Sequence, residues 1–265
     1  MIEVKNVTKS FEDKTVLHDI NATFYDGKTN LIIGQSGSGK TVLMKSLVGL
    51  VKPEQGEILF DGRDIISMGN KDIKELRKEI GMLFQGSALF DSETVLGNVM
   101  FPLIMFTRQP YAVMRERAMF CIERVNLLGA EHKYPSEISG GMQKRAAIAR
   151  AIALNPKYLF CDEPNSGLDP RTSIVIDELL SDITHEYGIT TVINTHDMNS
   201  VLGIGENIIF INKGYREWVG NMKEIYSTEN EALNDFVFAT DLFQGVKEYV
   251  NTHGKIVRGN ARTKK

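Results

Sequence analysis

Short apolar stretches with strand-like alternation recur along the chain, and several are followed by helical spacing. Ile2, Val4 and Val7 alternate with polar residues, which predicts a strand with one buried face. Further strands are predicted at residues 21–25, 31–33, 57–60, 80–84, 158–161, 190–194 and 207–211. Helices are predicted at 39–50, from the spacing of Val42, Leu43, Leu47 and Leu50, and at 171–187. Strands that alternate with helices indicate an α/β fold with a mostly parallel sheet covered on both faces.

Residues 87–155 interrupt this alternation. Their apolar positions follow helical periodicity, and the stretch contains no good strand candidate. Methionines become frequent there, at positions 100, 105, 114, 119 and 142. We therefore predict a helical subdomain inserted into the α/β core.

Composition narrows the class of protein. The 265 residues are 42% hydrophobic and 25% charged, as in a soluble globular protein and unlike a disordered or fibrous one. The net charge of −3 argues against a general nucleic-acid partner. The sequence has no secretory signal pattern, and its longest nearly apolar run, 99–106, is too short to cross a bilayer. Cys121 and Cys161 form neither a disulfide framework nor a metal cluster, so we expect a cytosolic chain with reduced thiols.

The C-terminal residues are basic, although the chain as a whole is acidic. Residues 243–265 hold six lysines and arginines against Glu248 alone. Three interpretations remain open: a solvated, partly disordered tail, a contact with anionic lipid head groups, or a contact with an acidic partner surface. Leu242, Phe243, Val246 and Val250 fall near helical spacing and predict a short amphipathic helix, which we expect to pack on a neighbouring subunit or a membrane assembly.

A phosphate-binding loop lies between the strand at 31–33 and the helix that follows it. The segment fits the pattern GxxxxGK[ST] and consists of Gly34, Gln35, Ser36, Gly37, Ser38, Gly39, Lys40 and Thr41. Its glycines let backbone N–H groups turn inward around phosphate oxygens at the positive end of the helix. Lys40 supplies a charge to the β- and γ-phosphates, and the Thr41 hydroxyl can ligate Mg²⁺.

Two adjacent carboxylates follow the apolar strand at 158–161, which we place beside the strand of the phosphate loop. Asp162 can hold Mg²⁺ through a bound water. Glu163 can orient or deprotonate the attacking water. The pair therefore predicts nucleoside triphosphate hydrolysis, with one carboxylate at the cation and one at the nucleophile.

A second anion-binding helix start narrows the family. Residues 138–145 read Ile-Ser-Gly-Gly-Met-Gln-Lys-Arg, in which Ser139 is a good N-cap and Gly140 and Gly141 can expose backbone N–H groups. With this motif the chain resembles the ATP-binding cassette (ABC) ATPases, whose signature is close to Leu-Ser-Gly-Gly-Gln. The resemblance covers about residues 1–240. It implies a P-loop NTPase (RecA-like) core, an N-terminal antiparallel β portion and the inserted helical subdomain. The basic C-terminal extension, 241–265, lies beyond the resemblance.

The resemblance also assigns roles to single residues. Phe11 matches the aromatic residue that stacks on adenine, and Gln85 matches the glutamine that contacts Mg²⁺ and water. His196 matches the histidine that contacts the γ-phosphate, and residues 166–169, which end at Asp169, match the loop that crosses a dimer. ATP would then lie between the phosphate loop of one copy and Ser139, Gly140 and Gly141 of a second copy, so that two chains complete each site.

Departures from the family signature point to one branch. Met142 stands where glutamine is common, and the segment 83–103 resembles the lipid-transport branch that serves Mla/Mce-type phospholipid systems. That branch implies membrane-spanning permease subunits, an Mce-domain lipid-binding subunit, and a place on the cytoplasmic face of the inner membrane. An importer of amino acids or other small solutes shares every catalytic motif. A non-transport ABC protein and a P-loop kinase fit less well, because the chain has one phosphate loop, no heptad repeat, and a Ser-Gly-Gly helix start that a kinase does not need.

Overall fold

The computed structural model describes residues 1–12 and 14–253. Ten strands are present in this part of the chain: β1 (Ile2–Phe11), β2 (Lys14–Phe24), β3 (Thr29–Ile33), β4 (Gln55–Phe60), β5 (Arg63–Asp64), β6 (Ile80–Leu83), β7 (Tyr158–Asp162), β8 (Thr190–Thr195), β9 (Asn207–Asn212) and β10 (Tyr215–Gly220). The α-helices are α1 (Lys40–Leu47), α2 (Asn70–Lys78), α3 (Val95–Phe106), α4 (Tyr111–Arg124), α5 (Gly140–Ile152), α6 (Pro170–Tyr187), α7 (Met198–Ile204), α8 (Glu231–Val237) and α9 (Asp241–His253). Short 3₁₀ turns lie at Pro135–Glu137 and Glu224–Tyr226.

The strands form two sheets. The smaller has the order β2-β1-β4-β5 and is antiparallel. The larger has the order β10-β9-β3-β8-β7-β6, in which only β10 runs antiparallel to its neighbour. The predicted α/β class, with a mostly parallel sheet and an antiparallel N-terminal portion, is confirmed.

Two buried clusters hold the layers together. One packs the smaller sheet against α1 and includes Ile2, Val4 and Val7, as the alternation predicted. The other joins the parallel sheet to α3, α4, α5 and α6. Because this second cluster is continuous from the sheet to the helices, burying its apolar side chains fixes α5 firmly against β6 and α6. Residues 87–155 contain helices and no strand, as predicted, and their treatment as a separate subdomain stays a prediction.

Several element boundaries differ from the predictions. The helix predicted at 39–50 ends at Leu47, because Gly49 adopts a left-handed conformation and Leu50 is exposed. The strand predicted at 21–25 extends back to Lys14, since it pairs along the length of β1. The patterns missed β10, α2, α7 and α8, which are short or only weakly apolar.

The predicted C-terminal helix exists as α9, but it lies on its own chain. Phe243, Val246 and Val250 pack against the main core, whereas Leu242 is 73% exposed. Lys247 donates to Asn234 Oδ1 at 2.6 Å, which ties α9 to α8. Three of the four apolar positions are therefore already used within the chain, and the basic residues 254–265 lie outside the described residues.

Both cysteines are free and buried. Burial raises the pKa of the Cys121 thiol to about 11, which disfavours the reactive thiolate. Among residues 1–12 and 14–253, no helix combines the length and the hydropathy that a membrane span requires.

Candidate nucleotide-binding and hydrolysis site

Four neighbouring parallel strands present the site at their carboxyl ends. The phosphate loop follows β3, His196 follows β8, Asp162 ends β7, and Gln85 comes shortly after β6. The placement of β7 beside β3 was wrong, because β8 lies between them and pairs with both. This order brings a residue of β8 between two of the predicted metal ligands, Thr41 after β3 and Asp162 at the end of β7.

The phosphate loop has a backbone that only glycine can adopt at two points. Gly34 has a φ of 149°, and a Cβ there would lie 2.1 Å from the carbonyl oxygen of Ile211. Gly39, the N-cap of α1, has a φ of 109°, and its Cβ would lie 2.9 Å from Leu17. The turn between β9 and β10 supports the loop, since the Gly214 N–H donates to the Ser38 carbonyl at 2.9 Å. The loop is therefore held in its folded form by the surrounding strands.

Lys40 is buried beneath this loop, with 6% of its surface exposed. Its ammonium group donates to the carbonyls of Gly34 at 2.8 Å and Gln35 at 3.0 Å. Burial lowers the pKa of Lys40, while the carboxylates of Glu163 and Asp162 oppose that shift. A buried cation bound to the backbone of the phosphate loop is well placed to receive a polyphosphate.

Asn194 links two of the three residues predicted to hold the metal, Thr41 and Asp162. Its amide group donates to Asp162 at 2.6 Å and to Thr41 at 3.3 Å. Its carbonyl oxygen is buried and has no hydrogen-bond partner among the described residues, and the same is true of the Ser38 hydroxyl. Sequence reasoning missed Asn194, because it read residues 190–194 only as a buried strand.

The predicted metal ligands fit Mg²⁺ by their donor chemistry. Thr41, Gln85 and Asp162 offer hydroxyl, amide and carboxylate oxygens, the hard ligands that Mg²⁺ takes together with phosphate oxygens and water. The unpaired Asn194 oxygen lies beside Thr41 and Asp162. The described residues contain no cluster of three or more His, Cys, Asp or Glu side chains suited to a metal.

Glu163 and His196 form a close pair at the mouth of the cleft. The imidazole Nδ1 lies 2.8 Å from the Glu163 carboxylate. The Glu163 side chain is only 14% exposed, whereas His196 is 64% exposed. Glu163 also has a φ of 48°, a left-handed conformation that costs a non-glycine residue about 1–3 kcal/mol. The structure thus holds Glu163 in a strained position next to the phosphate loop.

Gln85 is the fourth predicted member of this group, and two contacts locate it. Its side-chain amide donates to the Ser166 hydroxyl at 3.3 Å. Its backbone carbonyl accepts a hydrogen bond from the ammonium group of Lys144 on α5. Sequence reasoning assigned Lys144 no role, since it treated the residues after the double glycine as an ordinary helix.

A cleft of about 760 Å³ opens beside these strand ends, and Asp162 and Asn194 are not part of its lining. Residues of the phosphate loop, Gln85, Glu163 and His196 line it. Val16 and Phe236 also line it, and neither was predicted. Phe11 does not: it lies at the end of β1, is 46% exposed, and has the Lys9 ammonium 4.8 Å from its ring centre. Its adenine-stacking role stays a prediction.

The signature residues lie away from this cleft. Ser139 caps α5 by accepting a hydrogen bond from the Met142 N–H at 3.3 Å. Gly141 packs closely on α6, since a Cβ there would lie 2.6 Å from Thr172. Asp169 caps α6 through the N–H groups of Arg171 and Thr172, and these hydrogen bonds, with that of the Thr172 hydroxyl, lower its pKa. Ser139, Gly140, Gly141 and Asp169 are therefore absent from the cleft lining of their own chain.

A phosphate loop, a strained carboxylate and a histidine at the ends of adjacent parallel strands define a P-loop nucleotide-hydrolysing protein. Residues 17–166 match the family described as ABC transporter. The chain therefore belongs to the ABC transporter family, as an ATP-binding and ATP-hydrolysing subunit.

Three relatives differ in their described substrates. The chain is 43% identical over 206 residues to the intermembrane phospholipid transport ATP-binding protein MlaF of Haemophilus influenzae, which covers 78% of both chains. It is 38% identical over 236 residues to a probable ribonucleotide transport ATP-binding protein of Mycobacterium leprae, covering 89% of this chain and 68% of the relative. It is 37% identical over 251 residues to a methionine import ATP-binding protein of Clostridium acetobutylicum, covering 95% of this chain and 78% of the relative.

Solved structures agree with the fold. The dimeric structure of MJ0796, a bacterial ABC transporter cassette, superposes with a TM-score of 0.77 at 34% identity. The match covers 84% of this chain and 99% of that one.

Proposed function

We propose that this chain is the ATPase subunit of a transporter that moves phospholipid in a bacterial envelope. The observation that carries the proposal is the 43% identity to a phospholipid transport ATPase, above the 37% and 38% to the methionine and ribonucleotide proteins. Met142 and the segment 83–103 support the same branch by their resemblance to it.

Hydrolysis depends on the groups that meet in the cleft. Lys40 and the loop N–H groups bind the phosphates of ATP, and Glu163 accepts a proton from the attacking water. His196 holds the Glu163 carboxylate in place. It would also contact the γ-phosphate of bound ATP. Mg²⁺ held by Thr41, Gln85 and Asp162 would neutralise charge on the phosphate oxygens.

We place the signature residues at the nucleotide of a second copy. Ser139, Gly140 and Gly141 form the exposed start of α5, where backbone N–H groups and the helix dipole favour an anion. They do not reach the cleft of their own chain. In an antiparallel dimer, each of the two ATP sites would combine the phosphate loop of one copy with the signature residues of the other. Formation and release of this dimer is the motion that would drive transport.

A groove beside the cleft is the proposed contact with the membrane-spanning permease. It encloses about 320 Å³ and is lined by Met82, Phe84, Phe90, Phe101 and Phe106, among others. The four phenylalanines are each about 40% exposed. Such a cluster of exposed aromatic side chains is unusual for a surface that contacts only solvent. A helix with an apolar face would cover them and would keep the chain at the cytoplasmic side of the membrane. An Mce-domain lipid-binding subunit would complete the assembly.

The experiment is to purify the tagged chain from its native membranes in mild detergent, identify its subunits by mass spectrometry, and reconstitute the complex in vesicles. ATP-dependent movement of labelled phospholipid, absent with Glu163→Gln, would support the proposal. ATP-dependent methionine uptake without lipid movement would instead establish the second candidate, an amino-acid importer, which is favoured by the longer match of 251 residues.

A further inference from the structure

Lys144 is a buried cation with a specific partner beside the cleft. Only 4% of its surface is exposed, although it follows the signature residues by one turn of α5. Its ammonium group donates to the backbone carbonyl of Gln85. Burial lowers the pKa of Lys144, opposed by the nearby Cys161, Asp162 and Glu163. Burying an ammonium group costs several kcal/mol, so the contact with Gln85 is not an incidental surface bond.

The segment that Lys144 contacts is strained. Ser87 and Ala88 are successive non-glycine residues with φ values of 62° and 48°. Such conformations cost about 1–3 kcal/mol each and persist only where the surroundings hold them. A second cation of α5 does so here: Arg150 donates to the Ser87 carbonyl at 2.7 Å and to the Ala88 carbonyl at 2.6 Å. One helix therefore fixes the backbone of residues 85–88 at three carbonyls.

We propose that Lys144 is a positioning residue for ATP hydrolysis, which acts by holding the Gln85 backbone so that the Gln85 amide stays in the cleft beside Ser166. The proposal rests on the role of Gln85 in hydrolysis and is independent of the transported substrate. Helix α5 begins at the signature residues, which would meet the nucleotide of a second copy. The contact between Lys144 and the Gln85 carbonyl therefore connects that helix to the glutamine of the same chain's cleft.

The test is a double-mutant cycle on the full chain, with kcat and the KM for ATP measured for Lys144→Met, Gln85→Ala and the double variant. Methionine keeps the length of the side chain and removes the donor. We expect Lys144→Met to lower kcat about tenfold or more with little change in KM, because a misplaced catalytic amide affects the reaction more than binding. In the Gln85→Ala background the same substitution should have no further effect on kcat.

Two further variants separate positioning from folding. Lys144→Arg keeps a donor and should retain most of the activity. Arg117→Met removes another cation that donates to backbone carbonyls, those of Ile152 and Ala153, away from the cleft, and should leave kcat unchanged. If Lys144→Met does not fold, Lys144→Gln, which is polar but one atom too short to make the Gln85 contact, replaces it in the cycle.

The outcomes are distinguishable. A loss of kcat from Lys144→Met that adds to that of Gln85→Ala would overturn the proposal and leave the role of Gln85 intact. A normal kcat for Gln85→Ala would overturn both the proposal for Lys144 and the role of Gln85 in hydrolysis. Neither result bears on whether the complex moves phospholipid, which is measured separately in vesicles.

Discussion

The Glu163 carboxylate lies 2.8 Å from Nδ1 of His196, and the two residues come from neighbouring strands β7 and β8. This contact joins the proposed base to the residue predicted to contact the γ-phosphate. Because Glu163 is mostly buried and His196 mostly exposed, the pair connects the interior of the cleft to its open side. The proposed base is therefore held in place from the open side of the cleft.

Glu163→Gln should keep ATP binding and lower turnover by about 10²–10⁴-fold, the usual contribution of a general base. The amide has the shape of the carboxylate but cannot accept the proton of the attacking water. Phosphate release measures turnover, and size-exclusion chromatography with ATP should detect an accumulated dimer. Glu178→Gln, at an exposed position of α6, is the control. Normal turnover by Glu163→Gln would exclude Glu163 as the base.

Ser139→Arg should lower hydrolysis about a hundredfold, the scale of losing an anion-binding donor, while isolated monomers keep their affinity for ATP. The bulky cation blocks the start of α5 from a second copy's nucleotide. Ser139→Ala is the matched control, since it removes the cap of α5, worth about 1 kcal/mol, without adding bulk. Affinity and rate are measured by nucleotide titration and phosphate release. Weaker binding to the monomer would mean that the signature acts within its own chain.

Gly34→Ala should weaken ATP binding and lower the thermal unfolding midpoint, because its Cβ would lie 2.1 Å from the Ile211 carbonyl. Relief of such a contact costs about 1–3 kcal/mol. Gly203→Ala in α7 is the control, since a Cβ there meets no atom within 4 Å and alanine favours a helix. Equal unfolding midpoints for the two variants would contradict the close approach.

Asp177→Asn should become more stable relative to the parent protein as pH rises from 4 to 7. Burial raises the pKa of Asp177 from 3.8 to about 6, against the hydrogen bonds from Ser200 and Asn165. The folded state therefore holds this proton more tightly than the unfolded state. The resulting contribution to the free energy of unfolding is full below pH 4 and is lost as pH rises through about 6.

Between pH 4 and 7, the free energy of unfolding of Asp177→Asn should rise relative to the parent protein by about 3 kcal/mol, the equivalent of roughly two pKa units. Urea unfolding at several pH values measures it. Asp182→Asn, at an exposed position of the same helix, controls for the loss of a carboxylate. A relative stability of Asp177→Asn that did not change with pH would contradict the raised pKa.

Phe101→Gln and Phe106→Gln should abolish retention of the permease and leave the ATPase activity of the isolated chain unchanged. Both side chains line the apolar groove, and glutamine there reduces the apolar area available to a partner. Met105→Gln is the matched control, since Met105 is 61% exposed on the same helix and does not line the groove. Yield of the complex after purification from membranes is the measurement. Full retention by both phenylalanine variants would place the permease elsewhere.

The sequence by itself determined the local chemistry. A phosphate loop needs glycines at fixed positions between a strand and a helix. The sequence of residues 34–41 was therefore enough to predict the loop and its glycine-dependent backbone. The same reasoning located Asp162 and Glu163 at the end of a strand and Ser139 at a helix start. Each of these signals depends on a few neighbouring residues, which is why periodicity and capping preferences reveal them.

Only the tertiary structure decided which of these segments meet. Strand order depends on pairing between distant segments, and no local pattern encodes it. The sequence therefore did not place β8 between β3 and β7. It also did not identify Asn194 as the link between Thr41 and Asp162. For the same reason it missed Lys144, whose partner Gln85 lies 59 positions away, and Phe236 in the cleft wall. It also placed the C-terminal apolar face on a neighbouring subunit or a membrane assembly, whereas Phe243, Val246 and Val250 pack on the chain itself. An amphipathic pattern specifies that a face is buried and not what covers it.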